Sequence, residues 1–210
     1  MGYHYRAKII FMTNKLNLNP KFEVAYKGKI FEIVKWEGKP GVMFEAAVRA
    51  PGVRLVIECE KDGQKALLMT KEIRREAGGW DYRLPGGKVF DSLDELDIFR
   101  DQDLDISEKA LEAAKREGRE EAGVLSGTYT SIGVSRVGAT VDWDLHYFLV
   151  TDVEVGDQEL EEAEQGDIET VYLSAKEVFE KLVSREVKEG RSADVLWFWL
   201  SQNGFIQFSE

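Results

Sequence analysis

The sequence predicts an α/β domain preceded by a small antiparallel β element, and three features carry that expectation. Glu108 to Val124 reads as one helix, closed by Gly123, whose missing side chain suits a left-handed C-cap. Val53 to Glu60 and Lys65 to Met69 are apolar runs joined at Asp62-Gly63, a hairpin signal. Trp80 to Leu84, Thr128 to Val137, Trp143 to Val150 and Ile168 to Leu173 are further strand-like runs on either side of the helix.

Taken in order, the residues up to Pro20 carry little signal, and Asn14 to Asn19 reads as a loop. From Phe22 to Trp36, Val24, Tyr26, Ile30, Ile33 and Val34 recur with strand-like chemistry, punctuated by Gly28. Glu37-Gly38-Lys39-Pro40-Gly41 is a turn, after which Val42 to Ala50 returns. Such a thin unit cannot bury both faces alone, so it should pack on the main domain or on a second subunit. Arg74 and Arg75 follow the hairpin in a charged loop. Within the long helix, Leu111, Ala114, Gly118 and Ala122 form a stripe small enough to lie close against a sheet.

Asp152 to Asp167 is a long acidic loop, a type of segment that is often functional. Ser174 caps a helix, with Glu177 at the capping-box position. Gly190 to Leu200 opens another helix, and its Val195 to Leu200 stretch is apolar all round, which predicts buried core or interface. Stacking of Trp197 or Trp199 on a base is the competing reading. His146 is expected to be structural.

The composition bounds the function. A chain of 210 residues with 43% hydrophobic content suits one domain plus an accessory element, divided here into 1–50 and 51–210. A net charge of −11 disfavours a general nucleic-acid or membrane surface. Phosphates can still bind if a metal supplies positive charge locally. The single cysteine, Cys59, excludes an internal disulfide framework and lies in an apolar run, as a core residue does. No stretch is long enough to span a bilayer, and Met1 to Phe11 lacks a secretory pattern. A cytoplasmic protein is expected.

The chemistry concentrates in the long helix. Glu117, Glu120 and Glu121 are spaced i, i+3 and i+4, so their carboxylates should converge. Like charges at that spacing repel by a few tenths of a kcal/mol per pair in an isolated helix. A hard dication such as Mg²⁺, which takes oxygen ligands, reverses the cost. A solvated acidic helix is the alternative for the cluster taken alone.

Glu108, seven residues, Arg116-Glu117, then Glu120-Glu121 and Gly123-Val124 resemble the helical part of the Nudix box, G-x5-E-x7-R-E-U-x-E-E-x-G-U, with U a bulky aliphatic. Gly118 stands where an aliphatic residue is expected, and Gln102 where the opening glycine would fall. Leu84-Pro85-Gly86-Gly87-Lys88 looks like the usual lead-in, so Gly87 opens the box and Asp91 to Asp105 is an acidic insertion. Leu93, Leu96, Phe99 and Leu104 give that insertion helical spacing. It is either a solvated flap with an apolar inner edge or a lid over the metal site. Tyr26 to Phe31, Phe44-Glu45 and Val48 to Val53 are similar to the N-terminal region of the ADP-ribose pyrophosphatase and nucleotide-sugar diphosphatase group.

That resemblance implies an α/β/α sandwich with a mixed sheet, and an N-terminal β element that contacts substrate and joins a homodimer. It implies Mg²⁺ or Mn²⁺ held by Glu117, Glu120, Glu121 and the Gly87 carbonyl, and it places Glu164 as general base. Arg116 is read as a clamp on the glutamates, and Arg74, Arg49 and Tyr26 as substrate contacts. Arg83 replaces a glutamate common in the group, and Val137-Gly138 a proline. The implied activity is hydrolysis of a nucleoside diphosphate linked to another moiety, ADP-ribose or a nucleotide sugar. A catalytically silent ligand sensor and a nucleoside triphosphate pyrophosphohydrolase are the alternatives.

Overall fold

A computed structural model describes residues 23–206 apart from positions 103, 139 and 163. The loop expected at Asn14 to Asn19 and the reading of Met1 to Phe11 lie outside the described residues. Alternation in one strand, β4 (Gly52–Lys61), shows how the fold is layered. Val53, Leu55 and Ile57 enter one core, with Ala110, Ala113, Ala114 and Ala122 of the long helix α2 (Ile106–Ala122). Val56 enters another, with residues of α3 (Ala175–Val183) and α4 (Gly190–Gln202). A strand's period of two thus builds two hydrophobic layers, one on each face of the sheet.

The main sheet runs β10-β5-β4-β9-β7, with β6 (Gly79–Arg83) paired to β5 (Gln64–Arg74). β4 and β9 (Leu145–Val155) are parallel, while β7 (Val124–Ser135) and β10 (Ile168–Ser174) pair antiparallel to their neighbours. The fold is therefore the expected α/β/α sandwich with a mixed sheet. Asp62 and Gly63, both at positive φ, close the β4–β5 hairpin. Both the Ser174–Glu177 capping box and the left-handed Gly123 cap form.

A second sheet, β1-β2-β3-β8, is built from β1 (Glu23–Lys27), β2 (Phe31–Lys39), β3 (Val42–Arg49) and the short β8 (Val141–Asp142). Val34, Ala46 and Val48 are buried on one side, whereas Val24, Tyr26, Met43 and Phe44 are exposed. The acidic insertion forms α1 (Leu93–Asp101), N-capped by Ser92. Its Leu93, Leu96 and Phe99 pack with Ala50 and Phe90, while Leu104 stays exposed. Lys27 bridges Asp94 at 2.8 Å and Asp97 at 3.0 Å, tying the insertion to β1.

Four local expectations change. Arg74 ends β5, paired with Gly79, and does not sit in a charged loop. β7 begins at Val124, directly after the Gly123 cap, and β9 runs to Val155, which pairs with Val124. This pairing absorbs the start of the acidic loop, which shortens to 156–167. The C-terminal helix is not buried all round: Leu196, Trp199 and Leu200 are buried, but Phe198 is 59% exposed and Trp197 faces Phe179 edge-on. A helix laid on one face of a sheet buries a stripe, and the remaining apolar residues point outward.

The departure at Gly118 has a packing cause. A Cβ there would meet the Tyr129 hydroxyl at 2.8 Å and Leu55 Cδ1 at 3.1 Å. Glycine lets α2 approach β4 and β7, at a helix-propensity cost of about 1 kcal/mol against alanine. Gly118→Val should therefore lower the unfolding free energy by about 1–3 kcal/mol, seen as a lower urea midpoint; an unchanged midpoint would contradict the close packing. His146 is buried in β9, and burial holds its pKa below the ordinary value, with Asp144, Arg136 and Asp105 as the charges around it. Its folded state resists protonation, so this stabilisation is complete above about pH 6.5 and falls as pH drops. His146→Gln should flatten the acid-side loss of stability measured by urea denaturation at a series of pH values.

Candidate active site

The site forms where α2 meets the lead-in turn Leu84 to Lys88. Val53 and Leu55 N–H groups donate to the Gly87 and Pro85 carbonyls at 2.9 Å each, and Val89 N–H donates to the Pro51 carbonyl at 3.0 Å. The turn thus lies along β4 like a short extra strand. Gly86 sits at φ 145, a backbone region costly for other residues, and a Cβ there would overlap the Val53 carbonyl. A Cβ on Gly87 would overlap the Glu117 carboxylate. The glycines permit a carboxylate to rest directly on the main chain.

Glu117 and Glu121 are four residues apart on the inner side of α2, 7% and 6% exposed. Glu121 Oε2 accepts from Gly86 N–H at 2.7 Å. Burial raises the pKa of Glu117, opposed by the Arg116 charge. Burial also raises that of Glu121, reinforced by the Glu72 charge and opposed by the Gly86 N–H. Glu120 lies further out. Arg116 reaches Glu117 Oε1 at 2.7 Å and Glu120 Oε2 at 2.9 Å, and donates to the Lys88 carbonyl at 2.9 Å.

The three carboxylates therefore do not point to one spot. Among the described residues no set of three His, Cys, Asp or Glu side chains is gathered at metal-ligand spacing. Each is held by a different or shared donor: Arg116 bridges Glu117 and Glu120, and the Gly86 amide takes Glu121. The donor chemistry nonetheless suits Mg²⁺ or Mn²⁺, because Glu117 and Glu121 are buried hard-oxygen donors resting on a glycine turn.

Beyond Glu121 lies a carboxylate that the sequence reading missed. Glu72 is 2% exposed at the end of β5. The Thr70 hydroxyl donates to it at 2.6 Å, Arg74 Nε donates at 2.7 Å, and Arg83 approaches at 3.6 Å. Arg83 also pairs with the buried Asp81 at 3.0 Å, and Asp81 accepts from Lys188 N–H at 2.8 Å. The only sequence signal for this network was Arg83 itself, an arginine where the resembling group carries an acid. Arg74 and Glu164 line one open cleft of about 200 Å³, shared with Glu72 and Asp167.

Tyr26 and Arg49 lie apart from this cluster. Tyr26 is 56% exposed on β1, 5.9 Å from Phe31 between ring centroids. Arg49, half-buried, stacks on Trp143 at 4.3 Å, with Arg191 at 4.2 Å from the same ring. Among the described residues no hydrogen bond or ion pair links either to the α2 carboxylates.

The NUDIX domain family model matches residues 48–192, which span α2, the lead-in turn and the main sheet. The chain belongs to the NUDIX family. It is a Nudix-type hydrolase of the pyrophosphatase class, which implies a small nucleotide substrate; hydrolases of this family generally use divalent metals. A solved structure described as "Crystal structure of ADP compounds hydrolase" is similar in fold at TM-score 0.63 and 18% identity, covering 89% of this chain and 95% of the other. No curated protein sequence matches the chain. None of the described helices is long and apolar enough to cross a membrane.

Within this Nudix site, Gly87→Ala should push the Glu117 carboxylate off the turn. Displacing a supporting contact of a metal site costs about 10–100-fold in affinity or activity. Turnover measured alongside circular dichroism should show that loss on an intact fold, and wild-type turnover would show that the contact does not matter.

Proposed function

We propose that this Nudix protein hydrolyses the pyrophosphate bond of a nucleoside diphosphate joined to another moiety, with ADP-ribose or a nucleotide sugar as substrate. The observation that carries the reading is the pair of buried carboxylates, Glu117 and Glu121, laid on the Gly86–Gly87 turn in a NUDIX-family helix. The name of the structural neighbour, an ADP compounds hydrolase, supports the substrate class, as does the fold match extending beyond the Nudix domain into the N-terminal sheet. The proposed products are a nucleoside monophosphate and a phosphorylated partner.

Glu117, Glu120, Glu121 and the Gly87 carbonyl would hold Mg²⁺ or Mn²⁺. When bound, the cation neutralises charge on the bridging phosphates and acts as a Lewis acid. Arg116 would hold Glu117 and Glu120 in register from the outer side of α2, through the two contacts described above. Glu164, on the loop beside β10, would accept the proton of the attacking water. Arg74 would orient a phosphate; its Glu72 partner fixes the guanidinium plane in the cleft. Tyr26 and Arg49, on β1 and β3, would contact substrate held at a homodimer formed by the second sheet, whose exposed Val24, Met43 and Phe44 supply apolar contact area.

The test is a panel of ADP-ribose, nucleotide sugars, dinucleotides and nucleoside triphosphates assayed with Mg²⁺ and Mn²⁺, with products separated by chromatography. Metal-dependent release of a nucleoside monophosphate from the first two classes is expected. Pyrophosphate release from triphosphates alone would replace the substrate class. Ligand-induced thermal stabilisation with no metal-dependent product would make the protein a sensor. Glu121→Gln preserves an acceptor for the Gly86 amide and should leave the melting temperature near wild type while abolishing turnover; full activity in that variant or in Glu120→Gln would refute the assigned roles.

A further inference from the structure

Arg54 is a buried arginine near the start of β4, followed by Leu55, Val56 and Ile57, and is 6% exposed. Alternation puts it on the α4 side, with Val56 and opposite Val53 and Leu55. Among the described residues it forms no ion pair with a carboxylate; its Nη1 donates to its neighbour Val53's carbonyl at 2.9 Å and to the Gly86 carbonyl at 2.8 Å. Arg54 Nε and Tyr147 Oη are the buried side-chain polar atoms without a partner among the described residues, and Arg54 and Tyr147 are cross-strand neighbours in the β4–β9 ladder.

Removing a guanidinium from water is costly unless a carboxylate and a full set of hydrogen bonds replace the solvent. Arg54 has neither. An apolar side chain, like those beside it, would serve the strand better. What the arginine adds is its one contact beyond its own strand, the Gly86 carbonyl. The same glycine's N–H is taken by Glu121 from the other side. Gly86 is therefore held at both ends, by a cation behind the sheet and a carboxylate in front, and Gly87 and Glu117 rest against each other one residue further on.

We infer that Arg54 is a positioning residue for the metal-binding turn, locking the Gly86–Gly87 backbone so that the turn and the α2 carboxylates are preorganised for a divalent cation. The assignment rests on the proposed metal-dependent reading of the site, and it concerns a residue that touches neither substrate nor cation. Supporting contacts of this kind govern ligand geometry, and their loss weakens metal affinity.

Equilibrium Mn²⁺ binding without substrate, followed by electron paramagnetic resonance of the free ion, tests the inference on wild type, Arg54→Met and Arg54→Lys, with urea midpoints in metal-free buffer. Arg54→Met should bind Mn²⁺ about 10–100-fold more weakly while its urea midpoint stays level or rises, because the desolvation cost of a buried guanidinium with an unbonded Nε has gone. A merely structural arginine would give the reverse, a lower midpoint with unaltered Mn²⁺ binding. Arg54→Lys keeps a charged donor near the Gly86 carbonyl and should recover part of the affinity without reaching wild type. Wild-type affinity in every variant that folds would overturn the assignment. Failure of the wild-type protein itself to bind Mn²⁺ would overturn both this inference and the metal-dependent function on which it rests.

Discussion

Two carboxylates buried against bare main chain set the terms for the rest of this molecule. Glu117 and Glu121 have lost most of their water, and both are pushed toward the protonated form. Keeping them there requires a helix fixed at both ends and a partner surface without side chains. Asp105 and Gly123 cap α2, the alanines and Gly118 bring it onto β4, and Gly86 and Gly87 supply the bare backbone. Each feature has a local physical reason, and together they build a place where unneutralised negative charge is unfavourable.

Negative charge is managed differently elsewhere in the chain. The acidic insertion has the apolar inner edge expected of it, and its acids pair with the second sheet. It is a capped helix whose apolar edge is buried and whose Asp94 and Asp97 hold Lys27. It links the second sheet to the segment that enters the site. Glu72, by contrast, is buried near the site but fully engaged by Thr70, Arg74 and Arg83. That cage explains how an arginine is accommodated at position 83: it answers a buried acid contributed by β5 and another, Asp81, in its own strand.

Much of this was legible in one dimension. The α2 span, its glycine cap, the Asp-Gly hairpin and the Ser174–Glu177 capping box depend on residues close in sequence, where spacing alone states the geometry. What escaped depends on partners far apart in the chain. Gly118 is expected in a stripe of small residues lying close to a sheet, but the partners that require glycine there, Tyr129 and Leu55, are not legible. Glu72 and Arg54 lie in or beside apolar runs with nothing local in the sequence to mark a role. The outward Trp197 and Phe198 are not core because packing on one sheet face covers a stripe, although six consecutive apolar residues look buried. The split of the three acids between Arg116, which reaches Glu117 and Glu120, and the Gly86 amide, which holds Glu121, depends on rotamers that spacing does not specify.

The direct measurement of the central claim is the melting temperature of the wild-type protein during a Mg²⁺ titration without substrate. If the buried acids exist to receive a dication, stability should rise with the logarithm of concentration once the ion exceeds its dissociation constant, by about 2.7 kcal/mol at a hundredfold excess. A melting temperature indifferent to Mg²⁺ and Mn²⁺ through the millimolar range would contradict it.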